Sequence, residues 1–286
     1  MRYAVIDVGS NSVRLMFSDG INTEKKLVKT TRLAENMGEE RFLKSEPIKR
    51  TIQAIYSFIE LAKLNKVDQI FAFATAAVRQ AINGKDFVDI VKSECDIDLE
   101  VISGDKEALI GFLGALSGKD GGIIDVGGAS TEVVVSNFNN IIFEKSIPIG
   151  AVKITDLCGQ DSTLAERVVV NKINELGNIP IADFYAIGGT ATSIAAILQE
   201  LEPYDPVKID GYKLSVEELQ VVTDKLYSLS VAERKTLKGL QPERAEVIAN
   251  GAKILLSVTK KIGIEKIIVS EKDNLEGYLT YKLERK

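Results

Sequence analysis

Ile123-Ile124-Asp125-Val126-Gly127-Gly128-Ala129-Ser130-Thr131-Glu132-Val133-Val134-Val135 is an apolar run, a turn of small and hydroxylated residues, and a second apolar run. It reads as two strands joined by a tight glycine turn. The same order stands near the N-terminus, where Asp7-Val8-Gly9-Ser10-Asn11-Ser12-Val13-Arg14-Leu15-Met16-Phe17-Ser18 aligns without gaps on Asp125 to Ser136. One Asp-Val-Gly turn between strands is ordinary. Two of them, each opening a half of the chain, indicate an internal duplication.

Outward from these hairpins the pattern alternates strands and helices. In the first half, Tyr3–Val8 and Val13–Ser18 read as strands, with a third near Lys26–Thr31. Ser45-Glu46-Pro47 marks a helix start, and Ile48, Ile52, Ile55, Ile59 and Ala62 recur behind it at helical spacing. Gln69–Thr75 is a nearly all-apolar strand suited to a sheet covered on both faces. A helix over Asp86–Glu94, a strand at Leu99–Ser103 and a helix over Asp105–Leu116 complete this half. In the second, strands at Thr131–Ser136, Ile141–Ile147, Phe184–Ile187 and Lys266–Ser270 are separated by helices. Those helices are expected over Thr163–Leu176, Thr190–Leu201 and Glu243–Ile262, with another beginning at the capping-box spacing of Ser215 and Glu218. The fold class expected is α/β with mixed sheets, as two domains over 1–119 and 120–272. The last segment, 273–286, with a helix over Leu275–Arg285, is a candidate to return to the first domain.

Composition removes whole classes of chemistry. The chain has 286 residues, 36 Lys+Arg against 41 Asp+Glu for a net charge of −5, and no histidine. Ser-His-Asp and Cys-His catalytic pairs, His-based zinc sites and HExxH proteases are therefore excluded. Any proton taken near neutral pH goes to a carboxylate, Lys, Tyr, Cys or water. The acidic balance argues against a nucleic-acid partner. Cys95 and Cys158 lack CxxC spacing and read as unpaired thiols of a reducing compartment. The N-terminus shows no signal-peptide core, and no apolar run reaches the ~18 residues of a membrane span, so a cytoplasmic protein without a membrane partner is expected.

Three glycine turns follow apolar strands: Gly9-Ser10-Asn11-Ser12, Gly127-Gly128-Ala129-Ser130-Thr131 and Gly188-Gly189-Thr190-Ala191-Thr192. Each offers successive backbone amides and hydroxyls, a nest that suits a phosphate anion. None matches a Walker loop or GxGxxG. With their Asp companions the three turns resemble the two phosphate motifs and the third glycine motif of the actin, hexokinase and heat-shock ATPase superfamily. That resemblance implies two related ribonuclease H-like domains with an interdomain cleft. A closer likeness runs through most of the chain: IDVGSNSVRL (6–15), ATAAVRQAIN (74–83), VISGDKEALIGFLG (101–114), IIDVGGASTEVVV (123–135), SIPIGAVKITD (146–156), IGGTATSIAA (187–196) and ERAEVIANGAKIL (243–255). In this order they resemble the exopolyphosphatase / guanosine pentaphosphate phosphatase family, in its short form without a histidine-containing C-terminal domain.

The resemblance implies hydrolysis of a terminal phosphoanhydride of inorganic polyphosphate, or of guanosine pentaphosphate, with Mg²⁺ or another divalent cation. It places Glu107 at the catalytic base, Asp125 and Glu132 at acidic positions associated with water and metal, and Asp7 at the equivalent carboxylate of the first hairpin. Gly9, Ser10, Asn11, Ser12, Gly127, Gly128, Ala129, Ser130 and Thr131 then form the phosphate loops, and Gly188, Gly189 and Thr190 the third motif. Arg14, Arg79 and Arg244 match family arginines, with Arg14 expected to stabilise developing charge. A homodimer is a family-level expectation. These residue types suit the task, since phosphoryl transfer needs positioning and charge neutralisation, and Mg²⁺ takes carboxylate, phosphate and water oxygens.

The chain departs from the family pattern at three places. Ala129 replaces a glycine, which would be strained if the position needs positive φ. Arg32-Leu33-Ala34-Glu35-Asn36 stands for Arg-Leu-Gly-Glu-Gly. The C-terminal motif lacks its arginine at Val269-Ser270-Glu271-Lys272-Asp273-Asn274-Leu275-Glu276-Gly277. The first and last departures motivate a third reading, a non-catalytic polyphosphate- or alarmone-binding protein. An ATP-dependent kinase or ATPase on the same fold is disfavoured by Ser103-Gly104-Asp105-Lys106-Glu107-Ala108, which is of the hydrolase type.

Overall fold

The computed structural model describes residues 1–38, 40–117, 119–138 and 140–284. In chain order its elements begin with β1 (Tyr3–Val8), β2 (Ser12–Ser18), β3 (Thr23–Thr30), α1 (Ser45–Leu64), β4 (Gln69–Ala74), α2 (Ala76–Gln80), α3 (Gly84–Cys95), β5 (Leu99–Val101) and α4 (Gly104–Leu116). They continue with β6 (Gly121–Val126), β7 (Thr131–Asn137), β8 (Asn140–Ile147), α5 (Ala151–Cys158), α6 (Ser162–Ile173), β9 (Phe184–Ile187) and α7 (Gly188–Leu198). The last are α8 (Pro206–Ile209), β10 (Lys213–Ser215), α9 (Val216–Ser228), α10 (Val231–Arg234), α11 (Ile248–Ile262), β11 (Lys266–Val269) and α12 (Asn274–Glu284). The chain divides into two compact units, Met1–Gly114 with Asn274–Lys286, and Ala115–Asp273.

Each unit is built on its hairpin. In the first, the sheet runs β3-β2-β1-β4-β5; β1 is antiparallel to β2 and parallel to β4. In the second, the order is β10-β11-β9-β6-β7-β8, so β8-β7-β6-β9-β11 repeats the first sheet with one strand added. The register repeats too: Val8 lies opposite Val13 and Val126 opposite Thr131, at aligned positions. Every residue of β1 and of β6 is buried, which explains why both strands carry apolar side chains on both faces. Among the described residues no helix is long and apolar enough to cross a membrane.

Several elements differ from their sequence reading, three of them near the second hairpin or its supports. The helix expected over Glu243–Ile262 begins only at Ile248, after a short 3₁₀ turn at Pro242–Arg244. The carbonyls of Ala245 and Glu246 accept hydrogen bonds from the side chains of Arg234 and Gln160, so the segment leaves the helical path. The helix expected over Thr163–Leu176 stops at Ile173 and tightens into a 3₁₀ turn, Asn174–Leu176, before Gly177. Helix α5 has no counterpart in the expected elements, although Ala151, Ile154, Thr155 and Cys158 are buried at helical spacing. The terminal helix expected over Leu275–Arg285 is α12, and Arg285 lies outside the described residues.

Helix α12 packs in the first unit, where Glu100 on β5 takes hydrogen bonds from two of its side chains and from Lys106. Burial would raise the Glu100 carboxyl. Hydrogen bonds from Lys106 Nζ at 2.5 Å, Lys282 Nζ at 2.8 Å and Tyr278 Oη at 2.6 Å outweigh that and lower it to about 2. A carboxyl depressed on folding stabilises above its unfolded value and loses that contribution as pH falls through the folded one. The window here runs from about 4.5 down to about 2. Glu100→Gln is expected to lower stability at neutral pH and to flatten its decline across that window, read by urea unfolding at stepped pH. Parallel pH curves for the two proteins would refute this role for Glu100.

Candidate active site

In the second unit the loop between β6 and β7 is closed by the Gly127 amide donating to the Ser130 carbonyl at 3.0 Å. Two of its other carbonyls are held by α5. The amides of Ala151, Val152 and Lys153, at the start of α5, donate to Gly127 O at 2.8 Å and to Gly128 O at 2.9 and 3.0 Å. These are helix N-terminal donors that lack a partner within their own helix. With the carbonyls drawn toward α5, the amides of Gly128, Ala129 and Ser130 donate to no backbone acceptor among the described residues. Ala129 does not have a positive φ, so its methyl strains nothing. Thr131 gives its hydroxyl to Ile149 O at 2.7 Å, which fixes the strand after the loop.

Two carboxylates stand beside this loop. Asp125 on β6 lies directly opposite Glu132 on β7, and opposite residues of an antiparallel pair share a face. Both are buried, and Glu132 accepts from Ser146 Oγ at 2.6 Å. Behind Asp125, α7 starts two residues earlier than expected. Gly188 sits there at φ +77°, and a Cβ added to it would lie 2.6 Å from Asp125 Oδ1. Thr190 Oγ1 ties this helix start to Val126 O at 3.0 Å. The guanidinium of Arg244 covers Gly189, where an added Cβ would come within 2.2 Å of it. Tyr204 meets Thr192 and Glu271 through its hydroxyl, donating to the Glu271 carboxylate. Burial of that end and the Glu271 charge push its phenol up, while the residue as a whole stays 42% exposed.

The first unit repeats the hairpin with different side chains. Gly9 N donates to Ser12 O at 3.0 Å, as Gly127 does to Ser130. Here the carbonyls of Ser10 and Asn11 are held by the amides of Ala34, and of Thr31 and Arg32. Both amide atoms of the Asn11 side chain are buried without a hydrogen-bond partner among the described residues, which native structures rarely tolerate. The position matching Glu132 is Arg14, whose Nε donates to Asp7 Oδ2 at 2.9 Å, and whose Nη2 pairs with the same oxygen. Asp7 is therefore engaged by a guanidinium. Farther along the unit, Arg79 Nη1 donates to Glu107 Oε2 at 2.8 Å and to Ile102 O at 2.9 Å. Glu107 is buried in the first turn of α4, and Ser103 Oγ caps that turn by accepting from Lys106 N at 3.1 Å.

The donor set bears on the expected cation. Among the described residues no three acidic, Cys or His side chains converge as a metal cage. Asp125 and Glu132, opposite each other on one face, offer two hard oxygen donors instead, the number Mg²⁺ takes when phosphate and water complete its shell. The residues fit Mg²⁺ arriving with a phosphate. Of the expected set, the structure brings Asp125, Glu132, Gly127, Gly128, Ala129, Ser130, Thr131, Gly188, Gly189, Thr190 and Arg244 into the second unit. It brings Asp7, Gly9, Ser10, Asn11, Ser12, Arg14, Arg79 and Glu107 into the first. Arg14 and Arg79 lie on carboxylates of their own unit. The anchoring residues Gly150, Ser146, Arg234 and Gln160 were not among the sequence candidates. Ser146 and Gly150 lie in the SIPIGAVKITD segment, 146–156, whereas nothing in the sequence marks Arg234 or Gln160.

A family model described as the Ppx/GppA phosphatase family matches residues 14–286. The chain is 32% identical to a bifunctional 3-dehydroquinate synthase/phosphatase of Fusobacterium nucleatum, over 99% of this chain and 47% of that protein, so it spans about half of that relative's length. It is 28% identical to Exopolyphosphatase 2 of Mycobacterium tuberculosis, over 96% of this chain and 97% of that one. The solved structure of the Aquifex aeolicus Ppx/GppA family member superposes with a TM-score of 0.81 at 28% identity, covering 100% of this chain and 98% of that one. The two mixed sheets are therefore those of the solved Aquifex aeolicus family member's fold.

Proposed function

The chain belongs to the Ppx/GppA phosphatase family, and on that premise we propose that it is an exopolyphosphatase, hydrolysing the terminal phosphoanhydride of inorganic polyphosphate with Mg²⁺ and a water activated by Glu107. The observation that carries this reading is the Gly127–Ser130 loop, with its carbonyls anchored on α5, its amides left for an anion, and the Asp125–Glu132 pair beside it. An anionic phosphate next to two carboxylates is repelled unless a divalent cation lies between them, and Mg²⁺, when bound, supplies that neutralisation. The loop amides hold phosphate oxygens. Ser146 keeps Glu132 oriented, and Gly188 leaves room for the Asp125 carboxylate. Glu107 takes a proton from water, and Arg79 fixes its carboxylate by anchoring to the end of β5 through Ile102.

Phosphate release from long-chain polyphosphate with Mg²⁺ tests this directly. The expected result is steady release that falls to background in excess EDTA and returns on adding Mg²⁺. Absence of release under any divalent cation would sink the reading, and release indifferent to chelation would remove its metal. One observation favours a second reading within the family. The half-exposed ring of Tyr204 stands beside Arg244 and Thr192 and offers a stacking face to a nucleobase. Faster turnover of guanosine pentaphosphate than of polyphosphate, lost in Tyr204→Ala, would make the nucleotide the substrate.

A further inference from the structure

Arg234 is 1% exposed, yet among the described residues no carboxylate pairs with it. Burying a guanidinium on neutral acceptors alone is costly, so the contacts that hold it are informative. Nε donates to Leu226 O at 2.5 Å, in the last turns of α9. Nη1 donates to Ala245 O at 3.2 Å and to the side-chain oxygen of Gln160. Gln160 in turn donates its amide to Glu246 O at 3.0 Å. Two consecutive carbonyls, those of Ala245 and Glu246, are thus tied down by one buried arginine and its glutamine partner. The residue before them is Arg244, whose guanidinium lies over Gly189 at the start of α7. Its Nε donates to Gln241 Oε1 at 3.4 Å.

From this geometry we infer that Arg234, acting through Gln160, is a positioning residue. It holds the Ala245–Glu246 backbone so that Arg244 is presented at the mouth of α7, where it grips a phosphate of the substrate. The inference rests on the proposed polyphosphate reading. It also explains why this segment is not helical. A guanidinium can reach three acceptors in one plane; a lysine ammonium on a thinner stem cannot hold the same set. The charge is conserved by Arg234→Lys, while the clamp is lost.

Steady-state kinetics on polyphosphate of graded concentration separate the outcomes. Arg244→Ala sets the scale by raising KM. Arg234→Lys is expected to raise KM about tenfold while kcat stays within about twofold, the signature of lost uniform binding. In the double variant with Arg244→Ala, KM is expected to rise no further than in Arg244→Ala alone, since residues acting through one contact are not additive. Gln160→Leu, which removes the second tie, should move KM the same way by a smaller factor, and it carries the test if Arg234→Lys does not fold. A merely structural role predicts a lower Tm with KM unchanged in both clamp variants, and that result overturns the inference. So do KM effects that multiply with that of Arg244→Ala. An unaltered KM in Arg244→Ala removes the inference and leaves the polyphosphate reading standing. No turnover by the parent chain removes both.

Discussion

Glutamine at position 107 is expected to lower kcat on polyphosphate by about 10²–10⁴-fold, the range a positioned general base supplies, while KM changes by less than about threefold. Glutamine is the informative substitution because of Arg79. Alanine would strip a partner from a part-buried guanidinium that also holds Ile102 O, and the structural loss would be mixed with the chemical one. Glutamine keeps the side-chain length and an oxygen that can still accept from Arg79 Nη1, yet its amide cannot take a proton from water. Phosphate release under saturating polyphosphate, with the melting temperature as a control, reads the result. A kcat within about threefold of the parent would remove Glu107 from the reaction and move the search for a base to the Asp125–Glu132 pair.

What could be read in advance was what the chain states locally. Strand, Asp-Val-Gly turn and strand lie within a dozen or so neighbours, so their periodicity and turn chemistry show directly in both halves. The doubled register, with Val8 opposite Val13 and Val126 opposite Thr131, follows from the same spacing. The missing parts depend on residues far away in the chain. Arg79 and Glu107 meet only because β4 and β5 are neighbours in one sheet, and no spacing announces their ion pair. Glu243–Ile262 has the apolar period of one long helix, but side chains from Gln160 and Arg234 claim the carbonyls that would have continued it. Helix α5 was hidden by its length and by Val152, Ile154 and Thr155, whose branched side chains suit strands better than helices. Its Gly150, extended at φ −153°, has no local reason to be glycine. The reason is the Gly127–Ser130 loop packed against it.

That packing sets the second large effect. A methyl group at Gly150 would stand 2.4 Å from the Gly128 carbonyl carbon and 2.5 Å from Ala129 N, both backbone atoms that no rotamer change can clear. Because Gly150 is extended, alanine meets no conformational penalty there, and the whole consequence of Gly150→Ala is steric. Either α5 retreats or the loop moves outward, and in both cases the bonds from Ala151, Val152 and Lys153 to the Gly127 and Gly128 carbonyls lengthen. Overpacking of this kind costs about 1–3 kcal/mol of stability. A loop displaced by about 1 Å turns its amides from the phosphate and costs about 10²-fold in kcat/KM. The parent and Gly150→Ala are to be compared by polyphosphate turnover, by melting and by amide hydrogen exchange over residues 127–130. The anchoring account requires all three to shift together. If turnover collapses while exchange and melting stay at parental values, α5 is not what holds the loop in its phosphate-binding shape. If none of them moves, the loop yields without loss and its carbonyl bonds contribute nothing to catalysis.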